Sequence, residues 1–145
     1  MRVVFTTPST PSAPSKPLVS DAPTEAELQA LVQGWLDAKA LILSGQAADL
    51  SMVAREPLLK RVERERAIED AAGRSKSIDA SITSIEVLDR KPLRLELRAQ
   101  VAYSDRLQGA DGAVIEETAP SDFSVTYVLG RDGTQWRLHD YMPGS

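Results

Sequence analysis

The sequence predicts an α+β domain in which two or three N-terminal helices pack on a curved antiparallel sheet. Three observations lead there. Apolar residues recur at helical spacing from Leu28 to Leu43. After Gly73 the period changes to alternation, the mark of half-buried strands. Helical and strand segments are therefore segregated along the chain, which places helices on one face of an antiparallel sheet rather than in parallel crossovers. A bent sheet closed over by helices makes a cone with a pocket.

The folded part begins near Pro23. Residues 1–22 read as a Pro/Ser/Thr-rich linker and residues 23–145 as one domain. Eleven of the fifteen residues 6–20 are Ser, Thr or Pro, too few apolar groups to offset the entropy of ordering. Arg2 is followed only by Val3, Val4 and Phe5, which is no signal peptide. Two readings of this linker stand side by side, a tether to something upstream and a frayed terminus.

Thr24 and Glu27 form a capping box behind Pro23. Leu28, Leu31, Val32, Trp35, Leu36, Ile42 and Leu43 then trace one helical face, and Gly45 stops a helix over about 25–44. Gln29, Gln33, Asp37 and Ser44 are expected on its solvated side. Leu50, Met52 and Val53 predict a brief second helix. Pro57 opens a further one at its first position, where no N–H is needed. Leu58, Leu59, Val62, Ala67, Ile68, Ala71 and Ala72 are its expected apolar side. Glu56–Lys60, Arg61–Glu65 and Arg66–Asp70 are i,i+4 pairs on a solvated face.

Beyond Gly73, Ile78, Ala80 and Ile82 alternate, and Ile85 and Val87 alternate in the opposite phase. The slip at Thr83–Ser84 predicts a bulge or sharp bend. Leu93, Leu95, Leu97, Ala99, Val101 and Tyr103 point one way while Arg94, Glu96, Arg98 and Gln100 point the other. Residues 104–112 are expected as a polar loop and Val114 to Thr118 as a short edge strand. Phe123, Val125, Tyr127 and Leu129 form the next strand. A turn at Arg131–Thr134 leads into a last strand carrying Trp136 and Leu138.

Composition excludes several function classes. Seventeen Lys+Arg against 21 Asp+Glu give a net charge of −4, so the chain lacks the basic excess of a nucleic-acid binder. There is no Cys and one His, which leaves no zinc set, disulfide or Cys nucleophile. No Gly-rich phosphate loop, EF-hand loop or nucleophile elbow is present. No apolar run approaches a membrane span, the longest here being 40–43. His139 stands in the register opposite Trp136 and Leu138, where a surface or structural role outweighs catalysis. The distinctive residues are aromatic. Trp35 and Lys39 lie four apart, at cation–π spacing. Tyr103, Tyr127, Trp136 and Tyr141 sit on strands able to line the mouth of a cone, where core packing is the first reading and binding anchors the second.

The segment Val32-Gln33-Gly34-Trp35-Leu36-Asp37-Ala38-Lys39-Ala40 resembles the opening helix of the C-terminal intermembrane-space (IMS) domain of J-like chloroplast-division proteins and their cyanobacterial cell-division counterparts. Pro57-Leu58-Leu59, the long alternating strands, Tyr127-Val128-Leu129-Gly130-Arg131 and Trp136-Arg137-Leu138 agree in order and spacing over about 24–142. The resemblance implies a fold similar to the nuclear-transport-factor-like cone and no enzyme activity. It also implies docking of a protein partner, the tail of a membrane protein, without nucleic acid, cofactor or metal and without insertion of this chain into a membrane. Location follows as the periplasmic or intermembrane-space side of a membrane if tethered, and the cytoplasm if free-standing. Two departures bear on the partner. Val62 stands where the family often has Trp, and Arg74-Ser75-Lys76-Ser77-Ile78 replaces an aromatic-rich stretch.

The leading expectation is thus a non-catalytic interaction module with Trp35, Lys39, Tyr127, Trp136 and Tyr141 as partner contacts. The alternative is a small-molecule-binding or acid/base enzyme domain of the same cone, using Asp140, His139 and Tyr103. A self-associating domain is a third reading.

Overall fold

A computed structural model describes residues 17–143. Its elements run β1 (Leu18–Val19), α1 (Glu25–Leu43), α2 (Glu56–Ala71), β2 (Ser75–Arg90), β3 (Arg94–Gln108), β4 (Val114–Asp132) and β5 (Gln135–Pro143). All strands pair antiparallel in the order β1-β5-β4-β3-β2. The fold is α+β, two helices laid on a curled half-barrel.

The curl follows from bulges, each of which adds a residue to one strand and increases its twist. In β2 the register slips at Thr83, as the sequence predicts, and again at Leu88. In β4 it slips around Pro120 and at Ile115, and in β5 at His139. Into the hollow of the sheet α1 sets Leu28, Leu31, Val32 and Trp35, against Leu97, Ala99 and Val101 of β3 and Tyr127 and Leu129 of β4. The 19 residues of β4 extend roughly 60 Å along their curve, against roughly 29 Å for the 19 residues of α1. The helices therefore cover half of the sheet. The far parts of β2, β3 and β4 project as a bare arm.

Several expectations are corrected. Most of the 1–22 linker lies outside the described residues, but Leu18 and Val19 pair with Trp136 and Gln135. The Trp136 indole N–H donates to the Ser20 carbonyl, and Asp21 pairs with Arg131 at 2.6 Å. An unpaired edge of β5 with a large ring beside it is enough to hold this end of the linker.

Residues 50–53 form a turn, not a helix. The Ala54 N–H reaches the Leu50 carbonyl, and the chain is then captured by β5 through Leu138 N–H to Val53 O and Arg55 N–H to Leu138 O. In α2, Pro57 takes the second position and only Leu58 and Val62 are buried, while Ala67, Ala71 and Ile68 are exposed. Polar contacts hold its second half, from Arg66 to the Leu43 carbonyl and from Glu69 to Arg74. Gln33 is not solvated but bonded to β2. Leu93 leaves the inward row and sits exposed in the β2–β3 turn. The expected loop 104–112 is mostly strand, and residues 114–132 are one strand rather than two. The reason is pairing: residues 114–121 have β3 as a partner, whatever their weak apolar pattern.

Candidate functional site

The bulge at His139 decides which aromatics meet. Trp136 and Leu138 point into the sheet's hollow, so simple alternation would turn Tyr141 outward. One extra residue reverses the phase, and Tyr141 becomes the cross-strand partner of Tyr127 on the inner face. Their ring centroids lie 6.1 Å apart, and Trp35 of α1 approaches Tyr141 at 5.8 Å. Trp35 and Tyr127 are buried beneath, with Tyr141 half-buried above them. Burial raises the Tyr127 hydroxyl well above its ordinary value, so it stays neutral.

Two cations close on Tyr141 from the two helices. Lys39, one turn after Trp35, places Nζ 5.4 Å from the Tyr141 ring centre and 5.7 Å from that of Trp35. It also lies 3.4 Å from the Tyr141 hydroxyl oxygen. Arg61 of α2 sets its guanidinium carbon 5.2 Å from the same ring and pairs with Asp140 at 3.4 Å. The nearness of Tyr141, and after it Asp140, raises Arg61 further above its ordinary value. Lys39 has no carboxylate partner among the described residues. Of these groups Tyr141 and the two cations reach the surface, with Trp35 and Tyr127 as their buried floor. The arrangement is an aromatic ledge able to hold an apolar group against the Tyr141 ring and a carboxylate on the two-cation rim.

Four of the five expected contact residues, Trp35, Lys39, Tyr127 and Tyr141, thus come together. Trp136 does not: it lies farther along β5 with the Arg131 guanidinium 5.9 Å from its ring, under the Ser20 carbonyl. Arg61 was hidden in the charge run as a partner of Glu65. In the fold it goes to Asp140, and Glu65 goes to Lys76 at 3.5 Å. Its spacing of three from the buried Leu58 is the one signal that it faces the sheet.

The residues of the alternative acid/base set are dispersed. Asp140 accepts the Tyr141 N–H at 2.8 Å and pairs with Arg61. His139 is exposed, with Nδ1 3.3 Å from Arg55. Tyr103 stands away on β3, bonded to Asp105 and edge-on to Phe123 at 5.6 Å. Burial and Asp105 push its hydroxyl upward. The space between helices and sheet is filled by buried apolar side chains, Trp35 and Trp136 among them, instead of forming the expected pocket. A hollow of about 420 Å³ lies on the bare arm beside Ser77, Arg106 and Glu117. No group of metal-ligating side chains occurs among the described residues.

No curated protein sequence matches the chain. Among solved structures, the intermembrane-space region of chloroplast protein ARC6 superposes with a TM-score of 0.65 at 16% identity, over 83% of this chain and 95% of that one. At that identity the likeness is one of fold. The family model for the ARC6-like IMS domain matches residues 29–139, nearly the whole span from α1 to β5, and the chain accordingly belongs to the ARC6-like IMS domain family.

Proposed function

We propose that this domain is a non-catalytic protein-interaction module that docks the tail of a membrane protein on the Tyr141 ring and the Lys39–Arg61 rim. Trp35 and Tyr127 lie beneath them as the support that holds Tyr141 in place. The observation that carries this reading is Lys39, a half-buried cation on two aromatic faces with no carboxylate of its own among the described residues. A partly desolvated ammonium gains most from an acidic or C-terminal carboxylate group delivered by a partner. The family supports a role in division machinery, and with it a position on the intermembrane-space or periplasmic side of a membrane.

The test is capture from the source organism's membrane fraction with the 145-residue chain as bait. A photo-crosslinker at position 61 maps the contact. A membrane protein retained by the wild type, crosslinked at 61 and lost with Lys39→Glu is the expected result. Capture that is unchanged in Lys39→Glu and in Tyr141→Ala, with both variants folded, overturns the site.

A further inference from the structure

We infer that the tip of the β2–β3 hairpin, centred on Leu93, is a contact surface for an anionic lipid membrane, independently of the ledge around Tyr141. Lys91 and Arg94 close a two-residue loop through backbone bonds of 2.8 and 3.4 Å, so Pro92 and Leu93 form the tip. Pro92 stiffens its first position. At the second, turn chemistry favours Gly or a small polar residue, yet the chain places a leucine there, 65% exposed and outside the hydrophobic core. The turn gains nothing from this side chain, which points to a use outside the fold.

Charge surrounds the leucine. Arg90, Lys91 and Arg94 flank it within five positions. Lys91 and Arg94 meet Asp89 and Glu96 only at 3.6 and 3.5 Å, in exposed pairs that leave the cations open to other anions. Arg90 has no ion pair among the described residues. Val19, 55% exposed, lies at the same end of the sheet, because β1 pairs beside the start of β5.

The opposite end carries the opposite sign. Around the β3–β4 turn stand Asp105, Asp111, Glu116 and Glu117 with Arg106 among them, while Lys76 and Arg74 at the adjoining start of β2 are paired with Glu65 and Glu69 of α2. A molecule polarised this way presents one end to a negative surface. Headgroups attract the basic tip and repel the acidic arm, and Leu93 enters the interfacial layer as an apolar wedge. A nucleic-acid phosphate fits the cations but offers nothing to the leucine, and the tip has no aromatic for base stacking.

The experiment is flotation of the 145-residue chain with vesicles of phosphatidylcholine alone and of equal parts phosphatidylcholine and phosphatidylglycerol. Binding is expected to the mixed vesicles only, and to fall with added salt. The double variant Arg90→Glu, Lys91→Glu lowers it by about tenfold or more, and Leu93→Ser lowers it several-fold. Ile115→Ser, equally exposed but on the acidic arm, leaves it unchanged. Since all four positions are exposed, a circular dichroism spectrum identical to wild type is expected for each variant. Equal flotation with neutral vesicles overturns the proposal. So does absence of flotation with the mixed vesicles at low salt, retention of binding by Leu93→Ser, or an equal loss in Ile115→Ser.

Discussion

Strand β4 lives in two environments. From Val125 to Gly130 it is almost entirely buried, while from Val114 to Phe123 every residue is exposed. Both halves pair with β3 in the same antiparallel ladder. Hydrogen bonding therefore makes the strand, and a second layer makes the core; the ladder exists without the layer, but burial does not. The covered half carries Leu129, Tyr127 and Val125 inward and builds the ledge. The bare half carries Glu116, Glu117 and Asp122 and stays in water.

The largest test of this contrast is a pair of truncations. Trp35→Ala removes the ring that fills the hollow under α1 and should cost about 3–5 kcal/mol. Ile115→Ser, on the arm, should change stability by about 0.5 kcal/mol or less. Urea unfolding of both variants measures the difference. An equal cost would mean that the arm is covered in solution and the contrast is false.

A second test sharpens how the covered half acquires its bend. The Gln33 side chain accepts the Ile82 N–H at 2.8 Å and donates to the Ala80 carbonyl at 3.1 Å, next to the bulge at Thr83. Those backbone groups stand where α1 crosses β2, away from free water. Gln33→Ala should cost about 1–3 kcal/mol by leaving them unpaired. Gln33→Glu should cost no less, because the Gln33 amide N–H also donates to Asp37 at 2.9 Å and a carboxylate in its place would face both Asp37 and the Ala80 carbonyl. Hydrogen exchange at Ile82 reads the same effect locally, with faster exchange expected in Gln33→Ala.

Smaller again is the expected effect at Gly130. A Cβ there would overlap the Arg55 guanidinium, which lies across the glycine to reach Asp132 by two bonds of 2.9 and 2.7 Å. Gly130→Ala must push that guanidinium away, at a cost of about 1 kcal/mol. In an Arg55→Ala background the same glycine change should be nearly free. That non-additivity, measured by thermal melts of the four proteins, separates a side-chain overlap from a backbone preference.

The sequence shows the covered half well and the bare half poorly, for a physical reason. Leu95, Leu97, Ala99 and Val101 alternate because one face is packed, and Thr24 with Glu27 mark the start of α1 because the capping bonds are local. Residues 114–121 carry no such pattern, since neither face is packed, and their strand depends on β3 alone. For the ledge, Trp35 and Lys39 are legible together through their spacing on one helix. That Tyr141 joins them depends on the His139 bulge, a single extra residue with no signature in the alternation around it. Arg61 was equally hidden, because an i,i+4 partner in the sequence competes with a tertiary partner that only the fold supplies.

The smallest expected effect is a dependence on acid. Asp132 is held below the usual carboxylate range by hydrogen bonds from Arg55 first and Arg137 second. A carboxylate whose value is depressed in the folded state is released in the unfolded chain, so its contribution is present above the ordinary aspartate value. It is lost as pH falls through the lower, folded value. Asp132→Asn should then lower the urea midpoint at neutral pH and leave it close to wild type in strong acid. The gap stays small because the side chain is exposed and salt screens the pair. A gap that persists unchanged in acid would show that Asp132 acts through hydrogen bonds an amide cannot copy. In that case the Arg55 clamp over Gly130 would be held by geometry, not by charge.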